Sequence, residues 1–472
     1  MEPGASFELA PSTLRRVLSR ALAAGAGRAD VFLERSERTS LVLEDGHVAR
    51  AAHSVDRGAG VRTVQGDRVG FAHTEDLTSR SLLAAARAAS EGLDGSGGAA
   101  GAARPLGTVP VPDLSRERQP FSGAPVARRV ALLEHLDRRI RALEGRVSHV
   151  TLSLTDELSH VGIATSEGRR VDDRRPRATL RASCAGTVGA RRELASAGLG
   201  VRAGFEAFDE ARLEALAVEL VGQLGLQFEA RRPPAGEFPV VLAAGSSGIL
   251  LHEAIGHGLE ADFNRKNLSI FAGRLGTAVA CSDVTLVDSG LIPNQHGGLN
   301  VDDEAEPAAE TVLVERGVLR SYLHDRISAA HYGVRSTGSG RRQSFRHTPI
   351  PRMRCTYMLA GPRPGAELVA SVRRGLLATS FGNGQVQIGA GDFSFYVRVG
   401  WWIEDGRPVY PVKDVNLIGN GPRVLGAIDL VGDDLRLDDG TWTCGKDGQH
   451  VPVGVGMPSV RVPSLIVGGV TP

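Results

Sequence analysis

Apolar residues recur at helical spacing in four stretches of the first half of the chain. "PSTLRRVLSRALAAGAG" predicts a first helix, with Pro11 and Ser12 at its start and Gly25 at its stop. "SRSLLAAARAASEGL", "APVARRVALLEHLDRRIRALEG" and "DEARLEALAVELVGQLGLQFEA" predict three more. Between the first two, "ADVFLERSERTSLVLEDGHVARAAHSVDRGAGVRTVQGDRVGFAHT" alternates in short β-like runs, with turns at Asp45-Gly46 and Gly66-Asp67. Further alternating strands run from about Val147 to Val201. "DGSGGAAGAARP" (Asp94 to Pro105) reads as a mobile loop, and "RRPPAGEF" (Arg231 to Phe238) breaks the chain at its main boundary. Beyond it "FPVVLAAG" reads as a strand, "SSGILLHEAIGHGLEA" as a helix with a serine N-cap, and "GAELVASVRRGLL" as a later helix among short strands and turns. The fold class is α+β. Residues 1–105 form an N-terminal α+β domain, 106–232 a middle α+β region, and 233–472 a β-rich C-terminal domain carrying the helix of chemical interest. There is no short-period repeat of the solenoid kind.

Bulk properties narrow the function classes. The chain has 472 residues, enough for two to four domains of ordinary size. Its net charge of +1 argues against broad electrostatic binding to nucleic acid, so the local arginine clusters read as solvated surface. Cys184, Cys281, Cys355 and Cys444 follow no framework spacing, which suits a reducing cytoplasm. The N-terminus shows no basic-then-apolar signal pattern. No run of about 20 apolar residues is present, so no membrane span is expected. The 59 glycines and few aromatics point to a turn-rich β component.

The candidate chemistry lies in "HEAIGHGLEADF". Zinc peptidases commonly place two histidines four apart, H-E-x-x-H. Here His252 and His257 are five apart. On an ideal helix that separation turns them about 140° away from each other. A π-bulge absorbs one residue of extra rotation and brings them back together. Gly256 lowers the cost of such a distortion, so a local widening is expected around Ala254 to Gly256. Glu253 stands where a general base stands in H-E-x-x-H enzymes. Zinc takes neutral imidazoles, a third protein ligand and an open position for water, and a carboxylate base takes the water's proton. Spacing alone leaves both a metal site and a chance pair of helix histidines open.

"HEAIGHGLEADFNRKNLSIFAGRLG" resembles the TldD branch of the TldD/PmbA family, peptidases whose metal motif is H-E-x-x-x-H. The resemblance continues through "VDDEAEPA", "GVLRSYLHDRISA", "STGSGRRQSFRHTPIPRMRCTYMLAG", "SFGNGQVQIGAGDFSF", "PVKDVNLIGNGP" and "TCGKDGQHVPVGVGMPSVRV", covering most of about 236 to 470. "ADVFLERSERTSLVLEDG" and "DRGAGVRTV" resemble the family's first domain; about 105 to 230 matches more loosely. The PmbA branch lacks the metal motif, which this chain has. The resemblance implies that Cys444 is the third metal ligand beside His252 and His257, with Zn2+ as cofactor and Glu253 as the catalytic base. It also implies a PmbA-like partner subunit in a heterodimer, the other arrangement being a homodimer. The substrates would be unfolded or short peptides, in the cytoplasm.

Other polar groups draw plainer readings. Cys184, Cys281 and Cys355 read as small core residues, and His324, His331 and His347 as structural or surface groups. For Glu260 an exposed helix-end acid is the favoured reading, a hydrogen bond to a ligand imidazole the other. Arg341 and Arg342 either bind a peptide carboxylate, support the site, or sit in a solvated turn. Asp302, Asp303 and Glu304 read as a solvated acidic turn. Two other function classes stay open: a non-catalytic scaffold subunit of a TldD/PmbA-like complex, and a DNA-associated modulator, which the near-neutral charge disfavours.

Overall fold

In the computed structural model, residue 7 and residues 9–93, 101–115, 117–387, 389–438 and 440–468 are described. The loop expected from Asp94 to Pro105 falls partly outside them, at 94–100.

The four expected helices form: α1 (Pro11–Ala21), α2 (Ser79–Glu91), α3 (Val126–Leu143) and α4 (Glu210–Glu229). Thr78 caps α2 and Asp209 caps α4, each side chain accepting a first-turn N–H, whereas α1 starts on Pro11, whose fixed φ needs no such partner. The alternating runs become β1 (Arg28–Glu44), β2 (His47–Gln65), β3 (Arg68–Thr74), β4 (Gly107–Thr108), β5 (Val147–Thr165), β6 (Arg169–Val188) and β7 (Arg191–Val201). Asp45 and Gly46 both take positive φ, as a two-residue hairpin turn requires.

These strands make one sheet in the order β3-β2-β1-β5-β6-β4, with β7 on the far side of β6. The first and middle segments are thus joined by main-chain pairing, β1 running antiparallel to β5 from Asp30↔Thr165 to Glu44↔Thr151. Period-2 alternation sends Val150, Leu152 and Leu154 inward against Leu133, Leu136 and Ile140 of α3. Each fully buried leucine contributes about 1.5–3 kcal/mol. At the other end Val31, Leu33 and Val61 pack beneath Leu18 of α1 and Leu82 of α2.

In the C-terminal half β8 (Gly236–Leu242) lies between the strands Arg374–Gln387 and Val460–Gly468. Pairing continues through Val415–Asn420 to Asp392–Glu404, which pairs back onto Arg374–Gln387, so the ladder closes on itself. A six-stranded sheet beside it carries Leu286–Ser289, Cys355–Met358 and Gly454–Met457. The helix expected over "GAELVASVRRGLL" stops at Ala370. Leu376, Leu377 and Ala378 instead pair in parallel with Val240, Val241 and Leu242, because a place in the central ladder outweighs local helix preference.

The two halves meet through buried charge. Asp302, Asp303 and Glu304 are not a solvated turn: they are 0%, 3% and 1% exposed. Glu304 accepts from Arg62, which also pairs with Asp30; Asp303 accepts from Arg175. Arg342 is buried as well and reaches both Asp30 and Asp303. Buried charges persist only when paired in this way. Nearby, Glu34 accepts from the Phe345 N–H at 2.9 Å and the Ser159 hydroxyl at 3.0 Å, and burial pushes its carboxyl up to about 6. Folding therefore holds this proton where the unfolded chain, with a pKa of about 4.3, has released it. Stability falls as pH rises through that window, by about 2 kcal/mol, and the loss persists above it. Glu34→Gln is expected to remove this loss, read as a smaller difference between urea unfolding free energies at acidic and neutral pH.

Candidate metal centre

The helix carrying the motif is short and changes pitch twice. α5 (Gly248–Leu251) runs into a π-helical turn over His252–Gly256 and then a 3₁₀ turn over His257–Leu259. The widening expected around Ala254 to Gly256 is present. It lets two histidines five apart converge: their ring centroids lie 5.1 Å apart at 81°. Gly256 serves another purpose than the one expected. Its φ is an ordinary helical −58°, but a Cβ there would sit 2.1 Å from the Met353 sulfur. The glycine is required by close packing, not by the pitch. The expected serine cap is absent too. Ser247 is itself helical and makes no cap bond, while the Ser246 hydroxyl donates to the Thr379 carbonyl.

Cys444 arrives from a hairpin far along the chain, Thr443–Lys446 paired with Gln449–Pro452. Asp447 and Gly448 close it with φ of 49° and 71°, the two-residue turn that Asp-Gly favours. Alternation along the strand puts Cys444 and Lys446 on one face, both buried. Cys444 Sγ lies 3.3 Å from His257 Nε2, and one ligand atom from each of His252, His257 and Cys444 falls within 4.8 Å of the others. Two buried arginines fasten the hairpin. Arg352 donates to the Cys444 carbonyl at 2.6 Å and Arg341 to the Pro452 carbonyl at 2.7 Å. Arg341 and Arg342 are thus neither solvated nor free to bind a peptide carboxylate; both are interior struts.

Glu260 overturns the favoured reading of it. It is 0% exposed, and its carboxylate lies 3.0 Å from His257 Nδ1 and 3.0 Å from Lys446 Nζ. Lys446 also donates to Asp262 at 2.7 Å and to the Pro351 carbonyl at 3.1 Å. Burial alone would push the Glu260 carboxyl up, but Lys446 and His257 hold it at about 2. With Nδ1 engaged, His257 presents Nε2 to Cys444. Burial opposes protonation of His257, yet Glu260 and Cys444 raise its pKa well above the ordinary histidine value. Burial likewise opposes the Cys444 thiolate, but His252 and His257 bring the thiol down to about 4. By contrast burial pushes Cys184 up to about 11 and Cys355 up to about 12, as for inert core thiols, and Cys281 is half-buried.

The donor set fits a zinc ion. His252 is wholly buried, and among the described residues neither of its ring nitrogens has a hydrogen-bond partner. Such an orphaned imidazole is costly unless a cation takes the lone pair. A poised thiolate and an oriented second imidazole complete a three-ligand set of the kind catalytic zinc uses. The Glu253 carboxylate is 3.7 Å from His257 Nε2 with its side chain 27% exposed, so it alone of these groups faces both the ligands and solvent. His324, His331 and His347 stay apart from this cluster. His324 packs against Tyr322 and Tyr332, His331 is exposed, and His347 bonds to the Ser344 hydroxyl. Lys446 was missed by reading the sequence. The available signal was its place two residues from Cys444 in an Asp-Gly hairpin, as one of three lysines in a chain rich in arginine.

Known proteins bear on this geometry. Residues 29–92, 119–224 and 235–469 match, in turn, domain 1, the central domain and the C-terminal domain described for PmbA/TldA metallopeptidases. A Haemophilus influenzae protein named metalloprotease TldD homolog is 40% identical over 456 residues, 93% of this chain and 92% of that one. A Buchnera aphidicola protein of the same name is 36% identical over 447 residues, 93% of this chain and 92% of that one. Among solved structures, TldE from Thermococcus kodakarensis superposes with a TM-score of 0.74 at 16% identity, covering 97% of this chain and 100% of that one, which speaks for the shared fold. With three matched domains in family order and full-length TldD relatives, the chain belongs to the TldD branch of the PmbA/TldD metallopeptidase family.

Proposed function

We propose that this chain is a zinc-dependent peptidase that hydrolyses peptide bonds in unfolded or short peptides. The observation that carries the reading is the convergence of His252, His257 and the thiolate of Cys444 around an orphaned, fully buried imidazole, with Glu253 beside them. His252, His257 and Cys444 would hold the ion, which when bound polarises the scissile carbonyl and acidifies water. Glu253 takes the proton of the attacking water and returns it to the leaving amine. Glu260 fixes the ring of His257, and Lys446 keeps Glu260 ionised. A Saccharolobus solfataricus relative, 33% identical over 246 residues, is named a zinc metalloprotease, which supports the choice of metal. We place the enzyme in the cytoplasm, working with a PmbA-like partner subunit or as a homodimer. No helix among the described residues is long and apolar enough to cross a membrane.

Metal content per chain, measured by mass spectrometry on wild type and Cys444→Ala side by side, tests the reading. About one zinc per wild-type chain is expected, falling sharply in the variant. A carefully reconstituted wild type that holds no metal overturns the mechanism and favours the scaffold subunit.

A further inference from the structure

A cavity of about 1100 Å³ opens between the N-terminal sheet and the C-terminal half. Its walls include Thr443, next to Cys444, and Ser246, in the turn leading into the motif helix, so it adjoins the candidate metal centre. One wall is the polar face of the sheet, where alternation leaves Thr151, Ser153, Ser183 and Ser196 outward while their neighbours fill the core.

The charge of this cavity departs from that of the chain. Among the described residues its charged lining is Arg181, Arg212, Arg398 and Arg436 against Glu219 and Asp438. The chain as a whole carries only +1, so this excess is local. The arginines come from four separate elements. Arg181 stands on β6, Arg212 on α4, Arg398 on the strand Asp392–Glu404 and Arg436 on the two-residue strand Arg436–Leu437. Arg398 is braced by donating to the Ser196 carbonyl at 2.9 Å, and Arg181 by donating to the Thr441 hydroxyl at 2.9 Å. Such bracing holds a guanidinium's remaining donors toward a carboxylate at little further entropic cost.

We infer that this cavity binds a short acidic peptide segment, its carboxylates received by the arginines. The peptide character of the ligand rests on the peptidase reading; the preference for acidic side chains does not. Size and the two acids in the lining both favour a peptide over nucleic acid. The volume lies just above the ~300–1,000 Å³ of sites for drug-sized ligands, which suits a few extended residues but not a duplex. A phosphate backbone brings a negative charge at every unit toward Glu219 and Asp438, whereas a peptide places its carboxylates only at chosen side chains.

The test is calorimetric binding to full-length Glu253→Gln, so that no turnover intervenes. The probes are an N-acetylated, C-amidated hexapeptide of alternating Ala and Glu, its Ala/Gln counterpart, and hexathymidylate. The Glu peptide is expected to bind about tenfold or more tighter than the Gln peptide, with the difference shrinking as salt is raised. Arg436→Gln and Arg398→Gln are each expected to erase most of that difference; the exposed Arg436 keeps the test clear of misfolding. Equal affinity for the two peptides, no binding of either, or tighter binding of hexathymidylate overturns the inference. Should wild type prove unable to cleave peptides while the charge preference persists, the peptidase reading falls and the acidic site stands.

Discussion

Glu253→Gln is expected to lower the rate of peptide cleavage by about 10²–10⁴-fold, the usual contribution of a positioned general base. The amide keeps the shape and polarity of the carboxylate but cannot carry the proton from water to the leaving amine. Fold and metal should survive the change. Glu253 is the partly exposed member of the site and lies 3.7 Å from His257 Nε2 rather than in a tight buried pair, so the cost in stability is expected within about 0.5 kcal/mol. The ligand atoms of His252, His257 and Cys444 are untouched, so metal content should match wild type. The measurement is a steady-state cleavage assay on an unstructured peptide, paired with metal analysis of the same preparation. A fall in kcat with KM little changed identifies an interaction made in the transition state. Undiminished cleavage would show that another group moves the proton; loss of metal would show that Glu253 supports the ligands instead.

The parts of this protein that were legible in its sequence are those governed by neighbours along the chain. The apolar spacing of α1 to α4, the Asp45-Gly46 turn and the alternation of β5 and β6 all depend on contacts that periodicity encodes. So does the π turn, since a five-residue histidine spacing admits convergence only through an extra residue. What failed was set by residues far away. Glu260 looked like an exposed acid until Lys446, 186 positions on, covered it. Asp302 to Glu304 looked solvated until Arg62 and Arg175, on strands of the first sheet, closed over them. "VRRGLL" has helical spacing, but β8 claimed Leu376 to Ala378 for a parallel ladder. In each case a short polar or amphipathic run was compatible with two environments, and only long-range packing chose between them. The third ligand shows the same limit from the other side. Nothing local marks Cys444 among four cysteines, and it was the family resemblance that singled it out.

That dependence on distant partners makes Lys446→Met the substitution with the largest expected effect on stability. The Lys446 side chain is 1% exposed and lies between the carboxylates of Glu260 and Asp262, with its ammonium 4.3 Å from the centre of the Phe263 ring. Methionine fills a similar volume without strain but leaves two acids uncompensated. Glu260 then relies on His257 and on the field of Arg352. Removing one partner of a buried pair typically costs 3–5 kcal/mol, far more than the pair itself contributes. Urea unfolding of the metal-free protein at neutral pH reads this cost directly. Metal affinity is expected to fall as well, by about 10–100-fold, because Glu260 no longer holds His257 in a fixed orientation. A second substitution separates charge from shape. Lys446→Met combined with Glu260→Gln removes one of the stranded charges and should recover part of the stability, but not the metal affinity, since the amide cannot replace the carboxylate's hold on the imidazole. If Lys446→Met alone costs less than about 1 kcal/mol, the ion pairs around Glu260 are not what anchors the hairpin to the motif helix. Cys444 would then be held in place mainly by the buried guanidinium of Arg352 on its carbonyl.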